Sequence, residues 1–174
     1  VDEPGGAVDV AIQYANRLPK YVANLTLFAH HSVCSDFPQY TVEGTGMLSE
    51  TLPYGILWEQ MVVPTLGFRR GIDVLFCPNA LCPLRDTEFP VVVAIQDIPE
   101  YHGFGSKKYI WFREQLLPRI VNRADRIVTV SEFMKRDISN HLDVPLTDID
   151  VVYNGINDIY LDKSSEGQAV SLPE

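Results

Sequence analysis

The sequence predicts an α/β fold built on a doubly wound, Rossmann-like parallel sheet, and two observations predict it. Short apolar, β-branched runs end abruptly on polar pairs, and amphipathic helical patterns stand between them. Strands covered by helices on both faces read as such continuous runs, whereas half-exposed strands alternate. The clearest instance lies in residues 90–132. PVVVAI runs into Gln96-Asp97, a helical stretch follows over residues 107–122, and IVTV at residues 127–130 runs into Ser131-Glu132. That is one strand–helix–strand crossover.

The other elements follow in order. Val8, Ala11, Ile12, Ala15 and Leu18 recur at helical spacing behind Gly5-Gly6, and Pro19 ends that helix. A glycine pair at a helix start lets backbone amides approach an anion, although a glycine pair is also ordinary turn chemistry. Residues 25–29 (LTLFA) form the first strand and stop at His30-His31. Residues 32–46 read as a loop holding a short edge strand at 40–43. Residues 54–68 carry Trp58, Met61, Val62 and Leu66 on a helical pattern, which Pro64 should kink or end. Residues 72–76 (IDVLF) are the next strand, continuing through Cys77 into Pro78-Asn79, and residues 81–89 are a loop. Pro118 predicts a kink in the crossover helix, or two shorter helices. Ser131 is the expected N-cap of a helix over residues 132–142, with Met134, Ile138 and Leu142 on one face. Residues 149–153 (IDVVY) form the last strand and end at Asn154-Gly155. These elements make one domain over residues 1–161. The polar stretch DKSSEGQAVSLPE, residues 162–174, reads as a linker or tail.

Composition narrows the function classes. A hydrophobic fraction of 46% against 21% charged residues marks a globular chain with a sizeable core. A net charge of −9 argues against nucleic acid as the partner and does not point to an anionic membrane surface, although the segment KKYIWFREQLLPRIVNR is locally basic. Three cysteines without a CxxC pair suggest neither a disulfide framework nor a zinc site, and fit a reducing, cytoplasmic setting. No run is apolar for long enough to span a membrane, and no signal peptide opens the sequence. His30-His31 lack the spacing of a metal motif, so no metal is expected.

Open α/β sheets bind ligands outside the carboxyl ends of their strands. Asn79, Gln96, Asp97, Ser131, Glu132, Asn154 and Gly155 each follow a predicted strand and are the candidate site residues. Each also reads as a strand end or a helix cap when taken alone.

Together these pieces carry a family pattern. WEQMVVP, DVLFCPN, PVVVAIQDIPEYHG, LLPRIVNRADRIVTVSEF and IDVVYNGIN, in that order, resemble the N-terminal domain of family 4 retaining glycosyltransferases of the GT-B fold. They are similar to the mannosyl- and glucosyltransferases of polysaccharide synthesis. The resemblance is close from Trp58 to Tyr160 and looser from Gly5 to Ala29. It implies one half of a two-domain enzyme whose N-terminal half mostly holds the acceptor and whose C-terminal half mostly holds the nucleotide-sugar donor. It implies that Gly5 and Gly6 match the loop facing the donor phosphates. Asp97, with Gln96, would stand nearest the transferred sugar, and Asn79, Ser131, Glu132, Asn154 and Gly155 would line the donor or acceptor. The substrates would be a nucleotide-sugar and a saccharide or lipid-linked acceptor, with no cofactor and no metal.

The sequence departs from that pattern in three places. Gln96 stands where the family usually has His, and Gln carries no proton at neutral pH. The strand expected before the glycine loop has only four residues in which to form. The donor half, with its basic residues and Glu-x7-Glu motif, has no counterpart, so the fragment by itself is expected to be inactive. Two other readings stand beside this one. The chain is a non-catalytic partner subunit that completes its cleft with another chain, or it is an unrelated nucleotide-cofactor enzyme. The lack of GxGxxG and of a P-loop weighs against the second.

Overall fold

A computed structural model describes residues 6–30, 40–45 and 52–155. The chain opens with α1 (Gly6–Arg17), then β1 (Thr26–His30) and β2 (Thr41–Thr45). A long helical rod follows: α2 (Leu52–Leu57), a π-helical turn (Trp58–Val62) and α3 (Val63–Arg70). Then come β3 (Leu75–Cys77), β4 (Val91–Ala94), α4 (Lys107–Arg123), β5 (Arg126–Thr129), α5 (Glu132–Leu142) and β6 (Ile149–Val151).

β3, β4, β5 and β6 lie side by side in sequence order, all parallel. Val93 stands between Cys77 on one side and Ile127 on the other, and Ile127 stands beside Ile149. On this pleat Leu75, Cys77, Val91, Val93, Ile127 and Ile149 are buried, and they meet Leu117 and Ile120 of α4 and Ile138 of α5 in one cluster. The alternate pleat is drier than water but not sealed. Phe76, Val92 and Val128 are half-buried, with Phe76 edge-on to Tyr14 of α1 at 5.0 Å between ring centres. The continuous apolar runs therefore reflect one fully buried face and one partly covered face.

The first predicted strand does not join this sheet. β1 pairs in parallel with β2 as a separate two-stranded sheet, Thr26 beside Thr41 through His30 beside Thr45. The break has a topological cause. In a doubly wound sheet of order 3-2-1-4-5-6, the strand that precedes the first helix lies between the second and the fourth. β1 and β2 occupy the second and third places and β3 the fourth, and no strand precedes α1 among the described residues.

Several boundaries shift for local reasons. β3 begins at Leu75 rather than at residue 72 because α3 ends on Gly71, at φ 61°, and the Ile72 amide donates to Gly67 O at 3.2 Å in that cap. β6 stops at Val151, and Val152 adds one last bond to Thr129 O at 2.8 Å before Tyr153 turns out to solvent. The other predicted strands match to within a residue or two.

The two internal prolines sit differently in their helices. Pro118 lies inside an unbroken α4, where Leu117 and Ile120 are fully buried and anchor both sides of it on the sheet. Pro64 follows the π-turn, whose closing bond runs from Val63 N to Trp58 O. That turn makes Pro64 an early residue of a new α-helical segment, where a missing N–H costs little.

Candidate functional site

Because β3 to β6 are parallel neighbours, their carboxyl ends form one rim. The loop after β3 folds onto the end of β4, with Ala80 N donating to Ala94 O at 2.9 Å. Ile95 N extends the ladder to Val128 O at 2.8 Å, and the buried Thr129 hydroxyl donates to Ile95 O at 2.7 Å. These bonds occupy the last backbone groups of β4, so what protrudes beyond them are the side chains of Gln96 and Asp97.

Gln96 is half-buried, and its amide Nε2 is buried with no hydrogen-bond partner. A buried donor without an acceptor costs about 1–3 kcal/mol, and a ligand oxygen would remove that cost. Asp97 next to it is exposed. Ser131 caps α5, its hydroxyl oxygen accepting from Met134 N at 3.1 Å, which leaves the hydroxyl proton free to donate. Glu132 is exposed in the first turn of α5, and the amino end of that helix points its positive partial charge at the rim. Asn79, Asn154 and Gly155 are exposed at the ends of their strands.

The glycine pair is a different matter. Gly5 lies outside the described residues, and Gly6 is the first residue of α1. α1 touches the main sheet through Tyr14, two turns further on.

The structure adds residues that sequence reasoning passed over. Phe104, Phe133 and Tyr153 are exposed aromatics following β4, β5 and β6 respectively. Exposed rings offer a flat apolar face to a ligand, and only their exposure distinguishes them from core aromatics. Glu59 is a second omission. It sits in the π-turn and lines a recess of about 110 Å³ with Ile56, Leu81, Cys82, Leu84, Phe112 and Leu116. Its Oε1 is buried without a partner, and burial raises its pKa from 4.5 to about 7. Beside it Gln60 clamps the loop after β3, donating to Cys82 O at 2.9 Å and accepting from Leu84 N at 2.7 Å.

The sequence profile of Glycosyltransferase Family 4 matches residues 4–159. The chain belongs to glycosyltransferase family 4. The match is to the family's N-terminal domain, and the α/β architecture with parallel sheets is that of a Rossmann-like GT-B half. No curated protein matches the chain significantly.

Within this family 4 domain, the segment RADRIVTVSEF divides into two jobs. Its first half works at the end of the sheet opposite the rim. The Asp125 carboxylate accepts from Val91 N at 2.8 Å, the Asp125 amide returns a bond to Val91 O at 2.9 Å, and Arg123 reaches Arg85 O at 3.0 Å. Those residues start β4 and hold the loop before it. Only the second half, Ser131-Glu132, reaches the rim. One half of the segment is therefore scaffold and the other half belongs to the rim. No helix among the described residues is long and apolar enough to cross a membrane.

Proposed function

We propose that this domain is the acceptor-side half of a retaining glycosyltransferase. In this reading it helps move a sugar, mannose or glucose, from a nucleotide-sugar to an acceptor hydroxyl in polysaccharide or glycoconjugate synthesis. The observation that carries it is the family match over residues 4–159. The rim supports it with three features in one place: an unpartnered Gln96 amide, an exposed Asp97, and the amino end of α5.

The chemistry assigns roles to those groups. As the glycosidic bond to the leaving diphosphate breaks, positive charge develops on the sugar ring and negative charge on the phosphate. Asp97 is the carboxylate on this half that faces the developing oxocarbenium charge. Gln96 orients a sugar hydroxyl through its free N–H and stands in for the family's usual His without carrying charge. Helix-end amides and cations stabilise the diphosphate, and the second half of the enzyme supplies most of the cations. A strand between β1 and β3 and a C-terminal donor half complete the fold in this proposal.

The test is transfer by the chain joined to a family donor half, with a panel of nucleotide-sugars and acceptors. Asp97→Asn and Gln96→Ala are each expected to lower kcat by about 10²-fold or more, the usual effect of removing one charge-stabilising group. The 174-residue chain alone is expected to show no turnover. Turnover by the chain alone, or full activity in both variants, would overturn the assignment.

A further inference from the structure

Away from the strand ends, three metal-ligating side chains from two elements meet. His102 closes the 3-10 turn Pro99–His102, and Asp137 and His141 lie one turn apart on α5. His102 Nε2 stands 2.7 Å from Asp137 Oδ2, and His141 Nδ1 stands 3.3 Å from Asp137 Oδ1. The ligand atoms all lie within 4.8 Å of one another. The two imidazoles pack edge to face, 5.2 Å apart, and Tyr101 backs His141 at 5.5 Å.

We propose that His102, Asp137 and His141 form a binding site for one divalent first-row transition-metal ion of the zinc type. Zinc bonds of about 2.0–2.2 Å in a tetrahedral site set neighbouring ligand atoms roughly 3.3 Å apart, a value inside the spread of spacings here. Two nitrogens and one oxygen select zinc, cobalt, nickel or copper over calcium and magnesium, which take oxygen sets. The two imidazoles flank one carboxylate, so two ring nitrogens and a carboxylate oxygen can turn lone pairs toward one ion. Ligation takes the Nδ1–H tautomer at His102 and the Nε2–H tautomer at His141, and exchanges the 2.7 Å bond between His102 Nε2 and Asp137 Oδ2 and the 3.0 Å contact between His141 Nδ1 and Asp137 O for bonds to the ion. The Asp137 side chain is 10% exposed and the two histidines 42% and 35%, so the ion would sit under an open face with room for water.

The consequence is positional. The ion would tie the turn that follows Gln96-Asp97 to α5, the helix whose amino end is at the rim. His102 is separated by 35 residues from Asp137, so no short spacing motif marks the site.

The experiment titrates zinc and cobalt into the reduced 174-residue chain by calorimetry and visible absorption. One ion per chain is expected, with a cobalt d–d band of tetrahedral intensity and a rise in Tm that a chelator reverses. His102→Gln and His141→Gln keep a hydrogen-bonding group beside Asp137 and so keep the fold. Each is expected to weaken binding by more than the roughly 10–100-fold that an outer-shell change costs. A variant with His30→Ala, His31→Ala and Cys34→Ser is expected to bind as the parent does. No cobalt band in excess metal, binding that survives both Gln variants, or binding lost in the His30/His31/Cys34 variant would each overturn the proposal.

Discussion

Arg113 Nε donates to Glu100 Oε1 at 3.0 Å, and both residues are buried, Glu100 to 2% exposure. The same guanidinium reaches Ala80 O at 3.4 Å, where Ala80 holds φ at 53°. One ion pair thus joins α4, the turn after Asp97 and the loop that carries Asn79. Charged residues are almost never this buried unless paired, and nothing in the local sequence pairs positions 100 and 113.

Breaking that pair should be expensive. Glu100→Ala leaves a buried guanidinium without its counter-ion, which costs about 3–5 kcal/mol. Urea unfolding should show a loss of stability of that size, seen as a lower midpoint with little change in slope. A cost below about 1 kcal/mol would mean that Arg113 swings out to water, as surface pairs do.

Glu59 should make stability depend on pH. Its folded-state pKa, about 7, is raised above the ordinary 4.5 by burial, so the fold favours the protonated acid. That stabilisation is fully present below the ordinary value and is lost as pH rises through the folded one. Its window therefore runs from 4.5 to about 7. At about 1.4 kcal/mol per pKa unit, the loss is at most about 3.5 kcal/mol. Glu59→Gln should flatten this part of the profile and be the more stable protein near pH ~8, by about 1–3 kcal/mol. Parallel profiles for the two proteins would show that the carboxylate finds water in the folded state.

Cys77 and Cys82 should be chemically silent. Burial pushes both thiols well up, Cys82 to about 12, with the nearby Glu59 adding to the shift and Arg123 opposing it. The thiolate is the reactive form, so neither should react with a disulfide reagent in the native state. In a Cys34→Ser background, thiol titration should find none reactive before denaturation and both afterwards. Rapid labelling of the native protein would contradict the burial at this site.

Gly67 should not tolerate a side chain. A Cβ there would stand 2.7 Å from Phe89 Cζ and 2.9 Å from Cε1, in a ring that is itself buried in the core. Alanine gains about 1 kcal/mol of helix propensity over glycine, and overpacking costs about 1–3 kcal/mol. Thermal unfolding of Gly67→Ala should show a net loss. A rise in Tm would show that Phe89 can move aside.

Some of this was legible in residue order alone. The runs at residues 91–95 and 127–130 read as buried parallel strands, because apolarity without alternation fits a helix-covered sheet, and β4 and β5 form there. Their polar successors, Gln96-Asp97 and Ser131-Glu132, had to gather at one rim once the strands were parallel. The Ser131 cap was readable for the same reason, since capping is chemistry between residues three apart.

Tertiary structure alone decided the rest, because long-range contacts leave no local period. Whether residues 26–30 hydrogen-bond to β3 or to β2 depends on which strand stands between, and apolarity is silent on neighbours. Pro118 by itself predicts a kinked or divided helix and Pro64 a kinked or ended one; α4 runs unbroken through Pro118, and Pro64 opens a helical segment behind a π-turn. The Asp125 link to Val91 spans 34 residues and turns a family signature into scaffold. Glu59, the Arg113–Glu100 pair and the His102–Asp137–His141 cluster acquire their chemistry from desolvation and from partners distant in sequence. Side-chain identity set what these groups are capable of, and the packing of α4, α5 and the loop after β3 set which of them meet.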